Sequence, residues 1–173
     1  IAGIRKNASQ IQLEKFGGFV IAYNGTTVVN CKTGECIYNQ MVPGEILEPV
    51  YKEAVKAEVS IAVYNDAEKE LIAANGVTRY IDADARACDV AVRETDDFVK
   101  VVNFGFNKIM LSGEPDSMKN IEKHMREMFG DKVNVFRSDP HFVELLPKYV
   151  DKGVAVEKLM RYLDINREKV ICV

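Results

Sequence analysis

One segment of this chain sets a lysine and a glycine at the point where a helix is expected to begin. Lys152 and Gly153 come directly before apolar residues at helical spacing, which are Val156, Leu159, Met160 and Leu163. The N-terminus of a helix has unpaired N–H groups and a partial positive charge, so a cation there is unfavourable unless an anion lies nearby. Glycine also lets a ligand approach the backbone. The segment therefore predicts a site for a phosphate or a carboxylate.

The residues at the two ends of the chain suggest a larger protein. An apolar run over residues 169–173 predicts a buried parallel strand. In open α/β sheets ligands bind beyond the carboxyl ends of the strands, so functional residues are expected after this run. The chain begins with Ile1-Ala2-Gly3-Ile4, which has no initiator methionine and no signal-peptide features. We interpret the chain as a segment of a longer sequence.

The composition is that of an ordinary globular protein. A length of 173 residues, with 47% hydrophobic and 28% charged residues, fits one or two small domains. No apolar run approaches the roughly 20 residues that a membrane span needs. The net charge is -3 and the basic residues are scattered, which argues against nucleic acid as a partner. A small charged molecule is compatible with this balance.

The cysteines and histidines give no strong signal for chemistry. The four cysteines are too few and too scattered for a secreted disulfide framework, and we expect a cytoplasmic protein. Cys31 and Cys36 flank a predicted hairpin turn, where a disulfide or half of a zinc site is an alternative to reduced packing residues. His124 and His141 are isolated, so a solvated or hydrogen-bonded role is favoured over catalysis.

The order of predicted elements indicates a β-α-β-β arrangement that is used twice. A helix over 5–16, a strand over 19–23, a turn at Asn24-Gly25 and hairpin strands over 26–30 and 36–42 come first. The first copy then has a helix over 45–58 and strands over 60–64 and 70–74. The second has a strand over 107–111, a helix over 115–130 and strands over 133–136 and 142–146. This order predicts a sheet covered by two helices, with the methionines of the second helix in the core.

Residues 78–102, between the two copies, are polar and acidic, and we predict a solvated loop or lid. Asp82 and Asp84 resemble the start of a calcium loop. That interpretation fails because Ala87 stands where the loop needs glycine and Arg93 stands at its twelfth position.

Taken in order, these segments resemble the Cof-type phosphatases of the haloacid dehalogenase superfamily. The resemblance covers essentially the whole chain: a strand that ends in Tyr23-Asn24-Gly25, the two β-α-β-β units, a strand over 142–147, and Asp151-Lys152-Gly153 before a helix and a last strand. It implies an α/β fold in which an α+β cap over 26–147 is inserted into a Rossmann-like core. Only fragments of that core are expected here, over 1–25 and 148–173.

The resemblance also implies a site. Lys152 matches the lysine of the family's third motif, which holds the nucleophilic aspartate and the transferring phosphoryl group in place. We assign Asn24, Gly25 and Gly153 to substrate binding. The first and second motifs are expected before residue 1 and the fourth after residue 173. The nucleophile, the acid/base aspartate and the Mg²⁺ ligands are therefore expected outside this sequence, and the chain alone is expected to be catalytically incomplete.

The implied function is Mg²⁺-dependent hydrolysis of sugar phosphates or similar small phosphorylated metabolites through a phosphoaspartyl intermediate. The cap is expected to select the substrate and to exclude water, with hinges near Asn24-Gly25 and near residues 149–150. Four cap residues are within conceivable reach of a substrate, although structural or solvated roles are favoured for them: Arg79, Tyr80, Lys100 and Lys108. The alternative is a non-catalytic module that binds a small molecule or an anion through Lys152.

Overall fold

A computed structural model describes residues 2–171, apart from the side chains of residues 2, 5 and 6. The described strands are β1 (Phe19–Ala22), β2 (Thr27–Asn30), β3 (Cys36–Asn39), β4 (Ser60–Asn65), β5 (Glu70–Ala74), β6 (Ala91–Glu94), β7 (Ile109–Ser112), β8 (Val133–Asp139) and β9 (Phe142–Pro147). The α-helices are α1 (Ala2–Gln10), α2 (Leu13–Phe16), α3 (Leu47–Lys56), α4 (Arg79–Ala87), α5 (Phe98–Val101), α6 (Pro115–Phe129) and α7 (Lys152–Tyr162). Short 3₁₀ turns cover Tyr23–Gly25, Gly44–Ile46 and Arg167–Lys169.

The strands between residues 2 and 171 form two sheets. The first has the order β1-β2-β3 and is antiparallel throughout. The second has six strands in the order β6-β5-β4-β7-β9-β8, and only its β5–β6 pair is parallel. The mixed α/β architecture agrees with the predicted fold class. The hairpin β2–β3 pairs with β1, on the other side of the predicted boundary at residue 25, and the division into core fragments and cap stays a prediction.

The main core lies between one face of the six-stranded sheet and helices α3 and α6. Successive side chains of a strand point to opposite faces, so Ile61 and Val63 of β4 face this core while Ala62 faces the other side. Met118 and Met125 of α6 are fully buried in the core, as predicted. The prediction is wrong for Met128, which is 48% exposed near the end of the helix. No helix in the described part of the chain has the length and hydropathy of a membrane span.

The prediction of a solvated loop over 78–102 is wrong, because α4, β6 and α5 lie there. Ile81 and Ala85 of α4 are buried against the second face of the sheet, and Phe98 of α5 is buried in the main core. Thr78 caps α4 by accepting a hydrogen bond from the Ile81 N–H at 3.1 Å. Ile81 and Ala85 lie four positions apart, so they share one side of α4.

Two predicted boundaries at the ends of the chain also differ. The helix expected over 5–16 is divided into α1 and α2 at Gln12, whose φ of 54° is left-handed. The strand expected over 169–173 is absent from its described part: Lys169 ends a 3₁₀ turn, and Val170 has extended dihedral angles without a described partner strand. Ile171 is 90% exposed, so the described part of this run lacks the burial that a parallel strand requires. Cys172 and Val173 lie outside the described residues.

The turn that follows β1 packs against the start of α7. Tyr23, Asn24 and Gly25 all have positive φ, of 48°, 55° and 104°. A Cβ atom added at Gly25 would lie 2.2 Å from the carbonyl oxygen of Asp151 and 3.0 Å from the amide nitrogen of Lys152. Both the conformation and the contact therefore require glycine at position 25, and the contact fixes where α7 begins.

We predict that Gly25→Ala destabilises the protein more than Gly34→Ala does. Gly34 has a similar left-handed conformation, with φ of 74°, but a Cβ there would have no described atom within 4 Å. Left-handed alanine should cost roughly 1–2 kcal/mol at either position. Overpacking against Asp151 should add about 1–3 kcal/mol at position 25. Urea unfolding followed by circular dichroism measures both, and equal losses for the two variants would contradict the packing role of Gly25.

Candidate functional site

A cavity of about 900 Å³ lies beside the start of α7. The edge strand β8 forms one wall with residues from both of its faces, Asn134 and Phe136 together with the core residues Val133 and Val135, and the end of α6 contributes Arg126 and Gly130. The turn after β1 contributes Asn24, and α7 contributes its first turn. The cavity therefore lies between the six-stranded sheet and the elements that precede and follow it in the chain.

The structure brings three of the four predicted site residues together. Asn24, Lys152 and Gly153 all line the cavity. Gly25 is buried beneath them and packs on the backbone of Asp151, outside the cavity wall. The positions of these residues are compatible with the predicted roles of Lys152 as a catalytic residue and of Asn24 and Gly153 as substrate ligands, which stay predictions.

The charges around the cavity favour an anion. Asp151 caps α7, since its Oδ1 accepts the Val154 N–H at 2.8 Å, and it supplies one negative charge at the helix start. Arg126 is committed to Glu122 at 2.6 Å. Among the described residues, the salt bridges involve neither Lys148 nor Lys152, which both line the cavity. Two ammonium groups therefore remain available to a phosphate or a carboxylate.

A buried polar cluster next to the cavity contains Asn24 and Lys108, which the sequence analysis considered, and Glu144, which it did not. Glu144 of β9 is 7% exposed. Its Oε2 accepts a hydrogen bond from Asn24 Nδ2 at 2.6 Å, and its Oε1 accepts one from Lys108 Nζ at 3.0 Å. The Lys108 side chain is itself 14% exposed, so it is committed to this ion pair. The signal in the sequence is a glutamate in the otherwise apolar strand 142–147.

Two half-buried tyrosines extend this polar region. The Tyr23 hydroxyl donates to Asp66 Oδ1 at 2.7 Å, and the Tyr64 hydroxyl donates to Asp84. The two rings lie 5.8 Å apart, centroid to centroid. Burial, followed by the neighbouring carboxylates, raises the pKa of both phenols above the usual range. Both hydroxyls are therefore protonated donors at neutral pH.

The remaining cap residues considered from sequence lie away from the cavity. Tyr80 stacks on His141 with ring centroids 3.6 Å apart, and Arg79 donates to the Tyr80 hydroxyl at 2.6 Å. The His141 ring contacts the carbonyl oxygen of Gly113. Gly113 directly follows β7, whereas Lys108 directly precedes that strand, so the two lie at opposite ends of it. Lys100 is exposed on α5. None of Arg79, Tyr80 and Lys100 lines the cavity.

The expectations for the other histidine and for the cysteines can also be placed. His124 Nε2 lies 2.7 Å from Glu53 Oε2, which confirms a hydrogen-bonded role. Cys31, Cys36 and Cys88 have free thiols, so Cys31 and Cys36 form no disulfide with each other. Within the described ranges, no three His, Cys, Asp or Glu side chains are grouped so that they could hold a metal ion.

Comparison with known proteins places this chain in a family. The family model for haloacid dehalogenase-like hydrolases matches residues 1–173. A proposed phosphatase of Streptococcus pyogenes serotype M6 is 24% identical over 177 residues, and the match covers 100% of this chain. The chain spans only 64% of the length of that relative.

Solved structures share the fold. A haloacid dehalogenase-like hydrolase from Bacteroides thetaiotaomicron is 30% identical, with a TM-score of 0.91 over 98% of this chain and 63% of that one. A sugar phosphatase of haloacid dehalogenase subclass IIB is 16% identical, with a TM-score of 0.73 over 96% of this chain and 61% of that one, which shows a common fold alone. Because the family model matches from the first residue to the last, this chain belongs to the haloacid dehalogenase-like hydrolases.

Proposed function

We propose that the complete protein is a Cof-type, Mg²⁺-dependent phosphatase that hydrolyses sugar phosphates or similar small phosphorylated metabolites through a phosphoaspartyl intermediate. The observation that carries the proposal is the position of Lys152 and Gly153 in the first turn of α7, at the edge of a cavity with two ammonium groups outside any described salt bridge. The name of the streptococcal relative supports a phosphatase, and the subclass IIB sugar phosphatase of the same fold supports the substrate class.

In this proposal, the residues of this chain bind and stabilise the phosphoryl group. The Lys152 ammonium offsets the negative charge that builds up on the phosphoryl oxygens during transfer. The N–H groups in the first turn of α7 lie at the same edge of the cavity, where a helix terminus favours an anion. At Gly153 an added Cβ would meet only Asp151 Oδ1, at 3.2 Å, so this side of the backbone is open to a ligand oxygen.

The described residues do not fit a magnesium site by themselves, because no three acidic or imidazole side chains come together. The proposal therefore assigns the Mg²⁺ ligands, the nucleophilic aspartate and the acid/base aspartate to sequence outside these 173 residues. Residues 26–147 act in this proposal as the cap that selects the substrate, with Asn134 and Phe136 on its cavity wall.

Lys152→Ala in the complete protein should lower kcat by about 10²-fold or more, because the lost interaction stabilises charge in the transition state. Lys158→Ala is the matched control. Lys158 lies on the same helix, but its Nζ is 4.3 Å from the centre of the Tyr38 ring and it does not line the cavity. Steady-state kinetics on an aryl phosphate measure both variants, and a near-normal kcat for Lys152→Ala would remove the catalytic role.

The 173-residue chain alone should show no phosphatase activity. The reason is that the groups that form the phosphoenzyme and bind Mg²⁺ are expected outside it. The measurement is turnover of p-nitrophenyl phosphate by the purified chain with added Mg²⁺. Turnover that a chelator abolishes would show that the assignment of the missing motifs is wrong.

A further inference from the structure

The turn after β1 has positive φ over three successive residues, of which the first two are strained. Tyr23 and Asn24 are not glycines, yet both have left-handed backbone conformations, and Gly25 continues the run. Left-handed tyrosine is uncommon, and such a residue persists only where its surroundings hold it. Contacts with the rest of the molecule must therefore hold this turn in place.

Neighbouring residues of the turn contact different parts of the molecule. The side chains reach the six-stranded sheet: Tyr23 donates to Asp66 in the β4–β5 connection at 2.7 Å, and Asn24 donates to Glu144 of β9 at 2.6 Å. The backbone of the next residue, Gly25, packs on the backbone of Asp151 and Lys152. A shift of β9 relative to the turn would therefore be transmitted to the start of α7.

Glu144 is the centre of the contact with the sheet. Each of its carboxylate oxygens has one partner, Lys108 for Oε1 and Asn24 for Oε2. Removing a carboxylate and an ammonium from water costs free energy, and the attraction between the two charges often only balances that cost. The buried Lys108–Glu144 ion pair is therefore not expected to add much to the stability of the fold. The ion pair with Lys108 does fix the Glu144 carboxylate in one orientation. Asn24 donates its hydrogen bond to the carboxylate in that orientation.

We propose that Glu144 is a positioning residue for Lys152. Lys108 orients the Glu144 carboxylate, the carboxylate holds Asn24, and the turn holds the start of α7, where Lys152 lines the cavity. Glu144 does not line the cavity itself, and it acts through Asn24. The inference rests on the proposed phosphatase function for its effect on rate, but the coupling between β9 and α7 can be measured without activity.

The kinetic test uses the complete protein with Glu144→Gln, alone and together with Lys152→Ala. Glutamine keeps the shape but removes the charge that pairs with Lys108. We expect kcat to fall about 10- to 100-fold with KM changed less than about 3-fold, since a small misplacement of a catalytic group has effects of this order. In the Lys152→Ala background the same change should have no further effect on kcat. Glu53→Gln is the control, because Glu53 is a hydrogen-bonded carboxylate in the α3–α6 layer, bonded to His124 and outside the cavity.

A second readout does not depend on catalysis. The backbone amide signals of Lys152, Gly153 and Val154 in NMR spectra of the ligand-free protein should shift in Glu144→Gln and stay in place in Glu53→Gln. If the wild type lacks phosphatase activity but these signals shift, the coupling stands and the proposed function fails. If the wild type is active and Glu144→Gln changes neither kcat nor these signals, the positioning role is wrong. The positioning role is also wrong if the two losses of kcat multiply in the double variant. Glu144 would then affect kcat independently of Lys152.

Asn24→Ala provides a second route if Glu144→Gln does not fold. This variant removes the hydrogen bond between the sheet and the turn but leaves the Lys108–Glu144 ion pair intact. It should shift the same three amide signals. Unchanged signals at the start of α7 would contradict the inference.

Discussion

The close contact between Gly25 and the carbonyl group of Asp151 sets the positions of the other parts of the candidate site. The contact is possible because position 25 has no Cβ, and a methyl group there would lie 2.2 Å from the carbonyl oxygen. It joins the end of β1 to the start of α7 and so places the first turn of that helix at the cavity. Lys152 and Gly153 then lie opposite the exposed part of the six-stranded sheet.

The two faces of the six-stranded sheet have different roles. One face packs on α3 and α6 with apolar side chains, which stabilise the layer by burial. The other carries polar groups at the end near the cavity, among them Tyr64 and Glu144. Such groups cost free energy when buried and are tolerated when they are hydrogen-bonded. Tyr64 donates to Asp84 of α4, whereas Glu144 accepts from Asn24 in the turn between β1 and β2. The Asn24–Glu144 bond therefore ties the six-stranded sheet to the turn that leads into α7's contact at Gly25.

Sequence patterns over a few residues predicted the elements whose start and buried face are determined by residues close together in the chain. Helix α6 begins at Pro115 and buries Met118 and Met125 on one face, as the spacing of these residues indicates. Lys152 could be placed at a helix start for the same reason. Helix α4 was missed because its buried stripe consists only of Ile81 and Ala85 among charged residues. The bond between Asn24 and Glu144 spans 120 positions, and no periodicity in the sequence reports a contact at that separation.

The central claim is that the cavity beside Lys152 is the phosphate site. The most direct measurement is a crystal structure of the complete protein soaked with tungstate, a phosphate mimic that anomalous scattering locates. If phosphate binds there, a tungstate ion should lie within about 3 Å of Lys152 Nζ, at the first turn of α7. Tungstate bound elsewhere, for example in the groove between α3 and α6 near His124, with none beside Lys152, would contradict it.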